Sequence, residues 1–122
     1  VDARDYGFWL PEDLEQAMPL LKKYHIEVHA AHIFLDEYHY ERELAILAEL
    51  AQKYHISWFV VKSPVRLAKD VLDETAVRYR ELAEELEKAG AGLLIHNEKE
   101  DICIRVNGKT AYEYLSEKAW SI

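Results

Sequence analysis

The chain is poor in the features that mark secreted and membrane proteins. Its single cysteine, Cys103, cannot form an internal disulfide, which favours a reducing compartment such as the cytoplasm. No apolar run approaches the roughly 18 residues that cross a bilayer, so we expect no membrane partner. The sequence also does not open with the basic and then apolar segment of a signal peptide. Together these absences predict a cytoplasmic protein.

The chain has few positive charges, and several common catalytic motifs are absent from it. The chain has 15 Lys and Arg against 23 Asp and Glu, a formal net charge of −8, which repels phosphate backbones and predicts no nucleic-acid partner. The sequence contains no G-x-G-x-x-G, G-x-x-x-x-G-K-[ST], H-E-x-x-H or G-x-S-x-G. Readings as a nicotinamide enzyme, a nucleoside-triphosphate enzyme or a serine hydrolase therefore lose most of their support.

What is present predicts one globular domain over residues 1–122. Half of the residues are apolar and 31% are charged, as in ordinary soluble domains. Apolar residues at helical spacing alternate with short runs rich in β-formers. The spacing predicts helices over residues 10–24, 40–54 and 71–89, and strands over residues 27–35, 57–64 and 92–97. Residues 1–4 could end a preceding strand.

The last quarter of the chain predicts a small hairpin and a final helix. Residues 102–106 alternate between apolar and polar types toward Asn107-Gly108, a pair typical of tight β-turns. Thr110 and Glu113 have the spacing of a capping box, so a helix should begin there and carry Tyr112 on its apolar stripe. The whole order is then (β)αβαβαβα, which favours a parallel sheet with helices outside it.

The tetrapeptide Lys-Tyr-His-Ile occurs twice, with His25 and His55 lying 30 residues apart. Each copy falls where a predicted helix ends and the next strand begins. In parallel α/β folds that junction is at the amino ends of the strands, whereas ligands bind at the carboxyl ends. We therefore interpret both histidines as structural.

The candidate functional residues are the polar side chains at the carboxyl ends of the predicted strands. Imidazoles, carboxylates and one amine should gather there and could bind a divalent metal ion through nitrogen and oxygen. The amine could pair with a sugar hydroxyl, a phosphate or an enolate. The set comprises His32, Lys62, His96, Asn97 and Glu98, with acidic residues at 36 and 37 nearby.

One segment adds a resemblance to a known family. The stretch GLLIHNEKEDI, residues 92–102, resembles the L-L-H-E-N-E-K strand, followed by D-I-Y-G, of the sugar-phosphate isomerase/epimerase family of xylose-isomerase-like barrels. Asn97, Glu98 and Lys99 match that pattern. The preceding EELEKAG helix end and the upstream SWFVVKSP strand are also similar to the family's layout.

The resemblance implies a (βα)8 TIM barrel that moves hydrogen between neighbouring carbons of a small-molecule sugar or sugar phosphate with a divalent metal. It implies that Lys62 and Glu98 are catalytic, that His32 and Asn97 bind substrate, and that His96 and Glu98 hold the metal. His96 stands where the family has a glutamate ligand. Imidazole suits Mn²⁺, Zn²⁺ or Co²⁺ better than Mg²⁺, so one of those three ions is expected.

A full barrel needs about 250 residues, so these 122 correspond to about four βα units, part or half of such a barrel. Three readings stay open. The sequence could belong to a longer enzyme. It could be a non-catalytic half-barrel that forms a homo-oligomer to cover its open sheet edges. It could also be an open-sheet module that binds a small acid or nucleotide, although the missing glycine-rich loops disfavour this reading.

Overall fold

A computed structural model describes residues 9–34, 40–64 and 66–120. In these ranges five helices alternate with five strands. The helices are α1 (Pro11–Lys23), α2 (Tyr40–Tyr54), α3 (Lys69–Lys88), α4 (Lys99–Cys103) and α5 (Ala111–Trp120). The strands are β1 (Ala30–Ile33), β2 (Trp58–Lys62), β3 (Gly92–His96), β4 (Arg105–Val106) and β5 (Lys109–Thr110). No helix in the described ranges is both long enough and apolar enough to span a bilayer.

The main sheet has the strand order β1-β2-β3 and is parallel throughout, as the alternation of elements predicts. Its register pairs Ile33 with Val61, and Val61 with Ile95. Trp9 extends the sheet beyond β1 in the same direction, since its amide donates to the His32 carbonyl at 2.7 Å. Sequential strands therefore lie side by side. The expected strand over residues 1–4 lies outside the described ranges.

Helices cover one face of this sheet and enclose the core. Phe59 is fully buried on β2, the central strand, and Ile33 and Leu93 point to the same face from the neighbouring strands. The predicted apolar stripes of α1, α2 and α3 supply the other side of the core. Their buried members are Leu14, Met18, Leu47, Ala51, Leu72, Ala76, Tyr79 and Leu86.

The opposite face of the sheet is largely open in the described part of the chain. Trp58, at the start of β2, is 46% exposed and Leu94, on β3, is 44% exposed. The Trp58 ring lies directly against Gly92, in space that any larger residue at position 92 would occupy. Trp58 thus fills the space that glycine leaves on the neighbouring strand.

The two Lys-Tyr-His-Ile copies have the same local structure. His25 and His55 both adopt φ 57°, the left-handed conformation that ends a helix, and Gly90 does so with φ 84° after α3. In each copy the lysine ammonium lies over the ring of the following tyrosine, at 5.8 Å for Lys23 and 5.3 Å for Lys53. Both copies lie between the end of a helix and the next strand of the sheet, as predicted.

Three features differ from the sequence-based expectation. β1 has four residues rather than the nine of 27–35, and the residues before Ala30 are mostly exposed. Residues 99–103 form α4 instead of a hairpin arm, because the Asp101 side chain accepts the Glu98 amide and turns the chain into a helix. Only β4 and β5 remain of the predicted hairpin.

Pro19 lies inside α1, on its exposed side, where water can satisfy the carbonyl that loses its helical partner. The helix therefore continues through the proline.

The final helix packs against α3, and its predicted cap is confirmed. The Thr110 hydroxyl accepts the Glu113 amide at 3.1 Å. Tyr114 rather than the expected Tyr112 is buried, and its hydroxyl donates to Asp73 at 2.6 Å. That hydrogen bond, together with the nearby Lys69 ammonium, lowers the pKa of Asp73.

Candidate active site

The candidate site lies where β2 and β3 end. The last pair of the ladder joins Lys62 to His96, so their backbones are neighbours at the carboxyl edge of the sheet. Lys62 shares the open face with Trp58, and His96 shares it with Leu94, because side chains an even number of positions apart on a strand point the same way. Parallel pairing thus places an amine and an imidazole side by side.

Glu98 brings a carboxylate to the same place. Its Oε1 lies 3.7 Å from Lys62 Nζ and 4.0 Å from His96 Nε2. The three side chains are 40 to 44% exposed, so water screens their attraction and the ion pair contributes little to stability. Because the ammonium, the carboxylate and the imidazole are all accessible, a ligand can contact each of them.

His32 adds a second imidazole from β1. Its ring centroid lies 5.5 Å from that of His96, with the ring planes tilted by 55°. Its backbone pairs with Val60, two residues before Lys62 on β2. We name His32, Lys62, His96 and Glu98 the rim cluster. The structure therefore brings together four of the five residues predicted from the sequence.

Asn97, the fifth predicted residue, has a different position. It lies between His96 and Glu98 in the chain and is exposed, and the rim-cluster contacts described above do not involve it. Neighbouring residues of an extended chain point to opposite sides, which separates the Asn97 side chain from that of His96. Its predicted role in substrate binding stays a prediction.

A buried network beneath the rim cluster escaped the sequence analysis. Ser63 and Asp101 are 6% and 2% exposed, and the Ser63 hydroxyl donates to Asp101 Oδ2 at 2.6 Å. The Glu98 amide donates to the same oxygen at 2.5 Å. The Tyr79 hydroxyl also donates to the Lys62 carbonyl. The sequence signal was the acidic residue three positions after Glu98, a spacing typical of a helix start.

The chemistry of these donors fits a divalent metal in part. His96 and Glu98 offer one nitrogen and one oxygen 4.0 Å apart, which one ion could bridge after a small movement. The Lys62 ammonium shares that carboxylate oxygen. Within the described ranges no group of three or more histidine, cysteine or acidic residues is arranged to hold an ion. The acidic residues at 36 and 37 lie outside those ranges.

Comparison with solved structures finds proteins of similar fold. No protein-family model matches the chain, and no curated protein does. The fold is similar to the crystal structure of a sugar phosphate isomerase/epimerase from Parabacteroides distasonis ATCC 8503, with a TM-score of 0.67 and 13% sequence identity. The match covers 90% of this chain and 43% of that one, so this chain spans less than half of that protein's length. The likeness shows a shared fold over 90% of this chain.

Proposed function

We propose that this chain carries part of the active site of a metal-dependent isomerase or epimerase that acts on a sugar or sugar phosphate. The observation that supports the proposal is the meeting of His32, Lys62, His96 and Glu98 at the carboxyl ends of parallel strands. This is the edge at which such folds bind their ligands. The structural likeness to a sugar phosphate isomerase/epimerase favours the same chemistry.

The roles follow from the chemistry of each group. The Glu98 carboxylate is suited to remove a proton from the carbon next to a carbonyl. The Lys62 ammonium, close to that carboxylate, is suited to stabilise the enolate oxygen that forms. His32 and Asn97 would donate hydrogen bonds to the substrate hydroxyls. His96 and Glu98 would hold the metal, which when bound supplies an electrophile for a carbonyl–hydroxyl pair.

The metal half of the proposal is tested by titrating Mn²⁺ into the protein and following free Mn²⁺ by electron paramagnetic resonance. We expect one bound ion, and we expect His96→Ala to weaken its binding at least about tenfold, because half of the described donor set is lost. His29→Ala is the matched control, since His29 is an exposed histidine just before the opposite end of the sheet. Equal weakening in both variants, or no binding by the unaltered protein, would contradict the proposal.

The catalytic half is tested in D₂O with a panel of ketoses and ketose phosphates. Proton removal next to a carbonyl incorporates deuterium at that carbon, and NMR detects the label in the substrate itself, whatever product forms. We expect exchange with at least one member of the panel, and its loss in Glu98→Gln. Exchange that survives this substitution would remove Glu98 from the mechanism.

A second candidate function has its own supporting observation, the open face of the sheet. Trp58 and Leu94 leave apolar surface there, and β3 has one strand partner in the described part of the chain, so its outer edge can pair. We propose as the alternative a non-catalytic half-barrel whose open face is covered by a second copy of the same chain. A homo-oligomer of this kind closes both edges at once.

Sedimentation velocity over a range of concentrations tests this alternative. We expect a dimer that Leu94→Glu weakens at least about tenfold, because a charge would be buried in the interface. Val77→Glu is the control, since Val77 is equally apolar and 55% exposed but lies on α3. A monomer at every concentration would dismiss the alternative, as would equal dissociation in the two variants.

A further inference from the structure

We infer that Asp101, with Ser63, is a positioning residue that fixes Glu98 in the rim cluster. The inference rests on the proposed function for the importance of Glu98, but its structural content stands by itself. Asp101 is 2% exposed although it is acidic, and such a side chain is rarely buried without strong partners. Here one carboxylate oxygen accepts two hydrogen bonds, from the Ser63 hydroxyl and from the Glu98 amide.

These two hydrogen bonds join the ends of two different strands. Ser63 directly follows β2 and Lys62, whereas Glu98 follows β3 and His96 by two residues. The Ser63 amide also approaches the His96 carbonyl at 3.4 Å, a long bond at the frayed end of the ladder. The ladder alone therefore holds this end weakly. The buried carboxylate supplies a second tie between the segments that carry Lys62 and Glu98.

The same carboxylate also sets the direction of the chain at Glu98. By accepting the Glu98 amide it begins α4, so that the chain leaves the strand at this residue. A short helix of five residues has little stability without such a cap. If the cap were lost, Glu98 would no longer be held with its Oε1 near both Lys62 and His96.

The hydrogen bond from the Glu98 amide to Asp101 resembles the contacts that orient metal ligands in other proteins. Carboxylate and imidazole ligands in metal sites are oriented by hydrogen-bonded neighbours, and removing a neighbour weakens metal binding about 10- to 100-fold. The Asp101 carboxylate bonds to the backbone amide of Glu98 and not to its carboxylate. Its effect should therefore be indirect, through the placement of Glu98.

The test compares Asp101→Ala, Asp101→Asn and Ser63→Ala with the unaltered protein by NMR, well below the melting temperature of each. In Asp101→Ala we expect the Glu98 amide to exchange with solvent at least about tenfold faster, because a hydrogen bond to a charged acceptor is lost. The His96 ring resonances should shift with it. Asp101→Asn keeps an oxygen acceptor and should lie closer to the unaltered protein than Asp101→Ala does.

Thr110→Ala is the matched control, because Thr110 caps α5 with one side-chain hydrogen bond but lies outside the rim cluster. It should lower the melting temperature while leaving the Glu98 and His96 signals in place. Ser63→Ala keeps the test decisive if Asp101→Ala does not fold. Unchanged Glu98 and His96 signals in the folded variants would overturn the inference, as would Asp101→Asn behaving like Asp101→Ala.

Mn²⁺ affinity, measured on the same samples, separates this inference from the proposed function. A loss of about tenfold in Asp101→Ala, with recovery in Asp101→Asn, is expected if both hold. If the unaltered protein binds no Mn²⁺, the metal proposal fails while the NMR signals still decide the positioning role. If Mn²⁺ binds and Asp101→Ala binds it equally well, the positioning role fails and the metal proposal stands.

Discussion

Replacing Phe59 with alanine is expected to lower the free energy of unfolding by about 3–5 kcal/mol. Phe59 is the largest fully buried side chain in the described part of the chain, and it lies on the central strand. Phe59 is fully buried within the core under the helices, so the lost contacts and the cavity left behind both add to the cost. Small domains have about 5–15 kcal/mol in total, so this one change removes a large share.

Urea unfolding followed by circular dichroism measures this loss. Trp58→Ala is the informative control, because Trp58 is an even larger aromatic residue on the same strand but faces the open side and is 46% exposed. About half of its surface stays in water, so its removal should cost only about 1 kcal/mol in the monomer. Equal losses at the two positions would mean that the open face is as tightly packed as the helical face.

The contrast between these neighbouring residues shows what the sequence could predict about the fold. The helical stripes and the strand order depend on local periodicity, and α2 begins and ends at residues 40 and 54 as predicted. The type of a short segment is decided by distant partners instead. Residues 102–106 alternate like a strand, but Asp101 begins α4 by accepting the Glu98 amide, and the same carboxylate oxygen is bonded in the interior by Ser63, 38 positions away. No local pattern contains that contact.

The candidate site, too, has a part that the sequence could predict and a part that it could not. His32, Lys62, His96 and Glu98 could be placed together from the sequence because parallel strands bring their carboxyl ends to one edge. Their tie to the buried carboxylate of Asp101 could not, since a Glu-Lys-Glu-Asp run is typical of an exposed turn. One member of this charged run, Asp101, is buried because a hydroxyl from a distant part of the chain bonds to it. The ligands that would complete a metal site present the same difficulty.

The repeated tetrapeptide leads to the second large expected effect. His25→Gly and His55→Gly are each expected to raise the free energy of unfolding by about 1 kcal/mol, and by about 2 kcal/mol together. Both histidines hold φ 57°, a conformation that costs a residue with a Cβ roughly 1–2 kcal/mol. Glycine avoids that cost but loses more backbone entropy on folding, which offsets part of the gain. The two sites end different helices, so their effects should add.

Urea midpoints with an unchanged denaturant slope measure both gains. The reverse substitution is available in the same fold, because Gly90 ends α3 at φ 84° with open space around its Cα. Gly90→Ala should therefore lose about 1 kcal/mol through backbone strain alone. Mn²⁺ affinity should not change in any of the three variants, since all three caps precede the amino ends of strands, opposite the rim cluster. A loss of stability in His25→Gly or His55→Gly would show that the imidazoles make contacts worth more than the strain, and the repeat would then be more than a helix end.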